Sequence, residues 1–101
     1  MSTVKVNNEN FESIKNGEKT VLLDFYADWC GPCQMVSPII DSIAEERSDI
    51  VVGKINVDIS PELAAEFSVF SIPTLVVLKN GKTHRQVSGA RSKEAILELL
   101  N

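Results

Sequence analysis

Cysteine is scarce in this chain: there are two, Cys30 and Cys33, beside a single histidine, a single tryptophan and a single tyrosine. Two cysteines are too few for a disulfide-stapled secreted scaffold. Long apolar runs are missing too. The longest is LVVL at 75–78, far short of a membrane span. The N-terminal MSTVKVNNEN lacks the cationic start and apolar stretch of a signal peptide, and the initiator-like Met1 is read as the native start. Basic charge is in deficit, with 10 Lys and Arg against 14 Asp and Glu and a net charge of -4. No basic run interleaves with aromatics, so nucleic acid is not an expected partner. Repeats, low-complexity tracts and Pro/Ser-rich linkers are absent. The expectation is one domain over residues 1–101, cytoplasmic, with no membrane association and most simply a monomer.

What is present suits a compact core, since 44% of residues are hydrophobic and 24% charged. TVKV (3–6) alternates like a short strand, and NENFESIKNG reads as a helix with an Asn cap, Phe11 and Ile14 on one side and Gly17 as its stop. KTVLLDFYA (19–27) is nearly continuous in apolar and β-favouring residues, as for a central strand covered on both faces. From Pro32 to about Arg47, the residues Met35, Val36, Ile39, Ile40, Ile43 and Ala44 mark one face of a long helix that Pro38 should kink. DIVVGKINVD (49–58) is a second buried strand, and SPELAAEF (60–67) a short helix with Ser60 as cap and Pro61 in its first turn. TLVVLK (74–79) and KTHRQVSG (82–89) flank Asn80-Gly81, a dipeptide suited to a tight hairpin. SKEAILELL closes the chain as a helix capped by Ser92, with Ala95, Ile96, Leu99 and Leu100 on one face. The order β-α-β-α-β-α-β-β-α predicts an α/β fold: a mixed sheet with helices on both faces. WCGPC then falls between the end of a central strand and the start of the long helix, where chemistry tends to sit in such sheets.

Three fates are open to the cysteine pair. A structural zinc site needs four ligands, and only His84 adds a candidate of the usual kind, so no metal is expected. A structural staple is weak, because closing so short a ring contributes about 2 kcal/mol, against about 4.7 kcal/mol for a 100-residue loop. A redox pair fits the position. A thiolate at a helix start meets unpaired backbone N–H groups and the positive end of the helix dipole, which lowers its pKa. Cys30 occupies that place as the exposed thiol. Cys33, three residues on, lies on the same side, deeper and better protected. Gly31 lets the backbone turn closely, and Pro32 fixes φ at the helix start. Cys30 therefore attacks a target disulfide, and Cys33 resolves the mixed disulfide to give a Cys30–Cys33 bond. Core packing is the commoner fate of a lone tryptophan, but the position of Trp29 beside the exposed thiol favours a contact surface for partners.

With LLDFYADWCGPC, SIPTL, KNGK and SGA in order and at fitting separations, essentially the whole chain resembles the thioredoxin family. The resemblance implies a five-stranded mixed β-sheet flanked by four helices, no bound cofactor, and a dithiol kept reduced by thioredoxin reductase at the expense of NADPH. It also assigns residues that pattern alone leaves open. Asp24 interrupts an apolar strand and, by itself, reads equally as an edge residue facing solvent. Its family counterpart is buried behind the cysteines, which makes Asp24 the proton acceptor and donor for Cys33, with a raised pKa. Lys54 by composition reads as a surface lysine, while its family counterpart lies near the buried aspartate as a supporting charge. The Ile72–Pro73 bond, trans on general grounds, is cis in the family and packs opposite the disulfide. There the Ile72 backbone can pair with an extended target, and Gly89 completes the same shallow surface.

Two residues depart from the common family pattern. Tyr26 stands where a second tryptophan is usual, and Gln34 replaces a frequent lysine, a change that leaves the thiolate less favoured. An oxidase or isomerase of the same fold is the rival enzymatic reading. In the family, Gly-Pro between the cysteines goes with the reducing end, about -270 mV against about -180 mV for disulfide isomerase. A binding module that docks partners without turnover is the non-enzymatic rival.

Overall fold

The computed structural model describes residues 2–101; Met1, read from the sequence as the native start, lies outside the described residues. The elements follow the expected order: β1 (Thr3–Lys5), α1 (Phe11–Lys15), β2 (Thr20–Tyr26), α2 (Gly31–Glu46), β3 (Ile50–Asn56), α3 (Pro61–Glu66), β4 (Thr74–Lys79), β5 (Lys82–Ser88) and α4 (Lys93–Leu99). They form one five-stranded sheet in the order β1-β3-β2-β4-β5. β1, β3 and β2 run parallel, as strand-helix-strand crossovers require, whereas β4 and β5 add antiparallel pairs. β2 is therefore the central strand.

Side-chain alternation along the strands sorts the core into two layers. Leu22, Val52, Leu75 and Val77 face α2 and α4, where they meet Val36, Ile40, Ile43 and Ile96. Val21, Leu23, Phe25 and Ile55 face the other way, toward Phe11 of α1 and Leu63 of α3. Asp24 and Lys54 share the parity of Leu22 and Val52, so both are aimed at α2. That placement follows from the period of two and from nothing else.

Several local expectations need correction. Met35 is exposed, because the apolar stripe of α2 centres on Val36, Ile40 and Ile43 and the preceding position turns about 100° away from it. α1 is a single turn and a half. Its cap position, Asn10, makes no capping bond with its side chain; instead Asn7 Oδ1 accepts from the Glu9 and Asn10 amides, and Asn10 Nδ2 donates to the Lys5 carbonyl. Gly17 does not take the left-handed conformation of a glycine stop, and the helix ends at Asn16. Ser60 holds the cap position of α3 without a side-chain capping bond, whereas Ser92 Oγ accepts from the Ala95 amide at 3.1 Å as expected. Pro38 lies inside α2 without ending it. Asn80 and Gly81 both have positive φ, 56° and 76°, the requirement of the tight hairpin between β4 and β5. A register shift at Val77/Leu78 leaves His84 unpaired in that ladder, with its Nε2 2.8 Å from the Asn101 backbone oxygen.

Gly53 on β3 lies where the side chains of Val6, just after β1, and Leu23 of β2 close over the strand. A Cβ there would stand 2.6 Å from Val6 Cγ2 and 3.2 Å from Leu23 Cδ2, both in buried side chains. A methyl added there forces both side chains to shift within the packed layer. Gly53→Ala is expected to destabilise the fold by roughly 1–3 kcal/mol in urea unfolding, and a change within experimental error would show that the layer is looser than its geometry.

Candidate functional site

The C-terminal end of β2, the first turn of α2 and the turn before β4 meet at the two cysteines. Cys30 is the residue that caps α2, in extended conformation, and Gly31 and Pro32 form the first exposed turn. The cysteines are joined as a disulfide with their Cα atoms 5.3 Å apart. The backbone N–H of Cys33 donates to Cys30 Sγ at 3.2 Å, which aims one of the helix's free donors at that sulfur. Negative charge on Cys30 would be stabilised there. Gly31 is not sterically demanded, since a Cβ at that position meets nothing within 4 Å.

The expected contrast in exposure between the sulfur-bearing residues is not found. Cys30 is 4% exposed and Cys33 3%, so both are buried. Ala27, Tyr26, Val57 and Ile72 pack around the pair, and the chain before β4 closes over it. There the Ile72–Pro73 bond is cis, with the Ile72 carbonyl oxygen 3.8 Å from Cys30 Sγ. Gly89, at φ 95°, donates its N–H to the Pro73 carbonyl at 2.8 Å and so ties the end of β5 to this turn. Asymmetry between the sulfurs thus rests on backbone contacts rather than on depth.

Trp29 is no core residue. Its ring is 71% exposed, and its Nε1–H donates to Asp58 Oδ2 at 2.9 Å, an anchor from the loop after β3 that carried no recognisable sequence pattern. Tyr26 is half-buried beside the cysteines, and Gln34 is exposed with its side-chain amide donating to the Asp28 carbonyl at 3.0 Å.

Asp24 is buried at 2% exposure beneath α2, and its Oδ1 has no hydrogen-bond partner. Burial pushes its pKa up to about 6, with Lys54 pulling it down and Asp41 adding to the rise. It lines a cleft of about 160 Å³ together with Cys33, Ser37 and Lys54. Lys54 pairs with Asp24 in strand register, yet its ammonium does not form an ion pair with it. Nζ lies 2.8 Å from Asp41 Oδ1 and donates to Ser37 Oγ at 2.7 Å. Ser37 and Asp41 escaped the sequence reading, which followed apolar spacing only. Their signal was a polar stripe: Cys33, Ser37 and Asp41 recur every four residues along α2.

Among the described residues, no three His, Cys, Asp or Glu side chains gather as a metal-binding group, and no helix is long and apolar enough to cross a membrane.

Comparison with known proteins agrees along the whole chain. The family model described as Thioredoxin matches residues 2–101. A thioredoxin of Mycobacterium tuberculosis is 44% identical over 99% of this chain and 88% of its own length. A bifunctional thioredoxin reductase/thioredoxin of Mycobacterium leprae is 42% identical over 98% of this chain, which spans 22% of that protein. Among solved structures, a mutant thioredoxin from Halobacterium salinarum superposes with a TM-score of 0.91 at 36% identity, covering 98% of this chain and 88% of that one.

The raised pKa of Asp24 has a consequence for stability. The folded state binds this proton more tightly than the unfolded chain does, so the associated stability is fully present below pH 3.8 and is lost as pH rises through about 6. Relative to the wild type, Asp24→Asn should therefore gain roughly 1–3 kcal/mol in urea unfolding of the oxidised protein near pH 7.5 and little near pH 4. A gain that does not depend on pH would contradict the burial of an ionising carboxyl.

Proposed function

Because the chain belongs to the thioredoxin family and is a protein disulfide oxidoreductase with a redox-active cysteine pair, we propose that Cys30 attacks the target, Cys33 resolves and Asp24 manages the resolving proton. One observation carries the division of labour: a buried carboxyl with an unpartnered oxygen shares a cleft with Cys33, while Cys30 Sγ receives a backbone N–H. Proton transfer belongs with the first sulfur's neighbour, and charge stabilisation with the first sulfur itself.

The Cys30 thiolate attacks one sulfur of the target disulfide; that S–S bond breaks, and the departing sulfur takes a proton to become a thiol. Asp24, as the carboxylate, accepts the proton of Cys33. The Cys33 thiolate then attacks Cys30 Sγ, the mixed disulfide breaks, and the second target sulfur leaves to be protonated. Two electrons have passed to the target, and Cys30–Cys33 is a disulfide. A pKa of about 6 suits this work, since the group is ionised at neutral pH yet holds a proton far better than an exposed aspartate.

Target docking is read from the same surface. An extended segment would pair with the Ile72 backbone beside cis-Pro73, with Gly89 at one margin and Trp29, Gly31 and Pro32 at the other. The exposed indole held by Asp58 and the Ile72 carbonyl near Cys30 Sγ support this reading. Lys54 supplies electrostatic support to Asp24. Thioredoxins carry no bound cofactor. Electrons come from NADPH through a thioredoxin reductase, a reading supported by the M. leprae relative, whose name joins both activities in one chain. The same proposal takes the chain as a single, monomeric, cytoplasmic domain that serves disulfide-bearing proteins.

Cys33→Ser is expected to accumulate mixed disulfides with target proteins, and Cys30→Ser to capture none; equal trapping by the two would overturn the assignment of roles. Turnover of NADPH with a thioredoxin reductase and insulin as acceptor tests donor and acceptor together. Full reduction of insulin with dithiothreitol but no NADPH-linked turnover with any reductase would remove the proposed donor while leaving the reductase reading intact.

A further inference from the structure

Lys54 and Asp24 stand opposite one another on β3 and β2, on the face of the sheet that α2 covers. The lysine nevertheless gives its ammonium to Asp41 and Ser37, while a buried oxygen of Asp24 goes without a partner. The cation rests on a carboxylate whose side chain is 56% exposed rather than on the buried one. We propose that Ser37 and Asp41 form a latch that parks Lys54 beside Asp24, so that Asp41 is a positioning residue governing how strongly Lys54 supports charge on Asp24. The proposal deepens the reading of Asp24 as the proton acceptor for Cys33 and rests on it for its catalytic meaning.

The geometry permits the exchange. Asp24, Ser37 and Lys54 line one cleft with Cys33, and a lysine stem has four rotatable carbons with which to move its head across it. A neutral Asp24 makes little demand on the cation, and the ion pair with Asp41 then holds it. An ionised Asp24 attracts it strongly, since charges interact more strongly where water is excluded. Two carboxylates thus compete for one ammonium. Asp41 acts on Asp24 in two ways, by its own repulsion and by retaining Lys54, and both favour the protonated form.

Other charged and titratable groups border the cluster. β2 and the turn after it contribute Tyr26 and Asp28, β1 contributes Lys5, and α2 contributes Glu45, while Cys33 is held in the disulfide. Glu45 accepts a hydrogen bond from Ser2 Oγ, and neither it nor Lys5 is in an ion pair among the described residues. Asp41 is the carboxylate that has the ammonium in hand.

The test is a ¹³C NMR titration of the Asp24 side-chain carboxyl in the oxidised protein. Asp41→Asn should lower its midpoint by about 1 unit, as expected when a lysine gains access to a carboxylate. In a Lys54→Met background the same substitution should lower it by less than about half as much, because only direct repulsion is then removed. Absence of a downward shift, or equal shifts in the two backgrounds, overturns the latch. The role of Asp24 as proton acceptor is tested separately by the pH profile of insulin reduction. If Asp24→Asn leaves that profile unchanged, the catalytic reading fails while the titration still decides the latch.

Discussion

A carboxyl group placed in the middle of the central strand is the constraint on which the site depends. β2 is covered on both faces, so each of its side chains must enter one core layer or the other. Asp24 enters the layer under α2 by parity alone, at the edge of an apolar core where only a narrow cleft holds polar neighbours such as Ser37 and Lys54. Water cannot solvate it fully there, and no donor reaches its Oδ1. The fold tolerates the arrangement because the carboxyl can hold a proton at mildly acidic pH. What is a liability for stability is the property that proton transfer needs.

The sulfur chemistry is arranged around that buried group from three directions. α2 supplies the cysteines, and its first turn turns a backbone donor toward Cys30. The turn at Ile72–Pro73 closes over Cys30 and is tied in turn to Gly89. The loop after β3 fixes Trp29 through Asp58 at the rim. The first of these contacts is local to α2, but those from Ile72, Gly89 and Asp58 join segments distant in sequence, so the complete site exists only once the sheet has formed. The parallel pair β2–β3 also sets Lys54 beside Asp24, and the stripe Cys33, Ser37, Asp41 on α2 connects sulfur, cation and carboxyl in one polar seam through an apolar layer.

Much of the architecture was legible beforehand. The nine elements, the central position of β2 and the hairpin at Asn80-Gly81 were readable because apolar periodicity and turn chemistry are local properties. Errors arose where local patterns have more than one outcome. Met35 was counted with an apolar face that, in the helix, is narrower than the run of hydrophobic letters. Asn10 and Ser60 have the chemistry of caps but use it elsewhere or not at all. Cys30 was expected to be exposed because it starts a helix, and a turn some forty residues away buries it.

By itself the sequence determined the two cysteines at a helix start, the strand that leads into them and, through family resemblance, the identity of the groups around them. Tertiary structure alone decided that Lys54 rests on Asp41 and Ser37, that Trp29 is held by Asp58, and that both cysteines are buried. The reason is physical. Periodicity fixes which way a side chain points, but the partner it meets, the water it loses and the charge it feels are set by segments that only packing brings together.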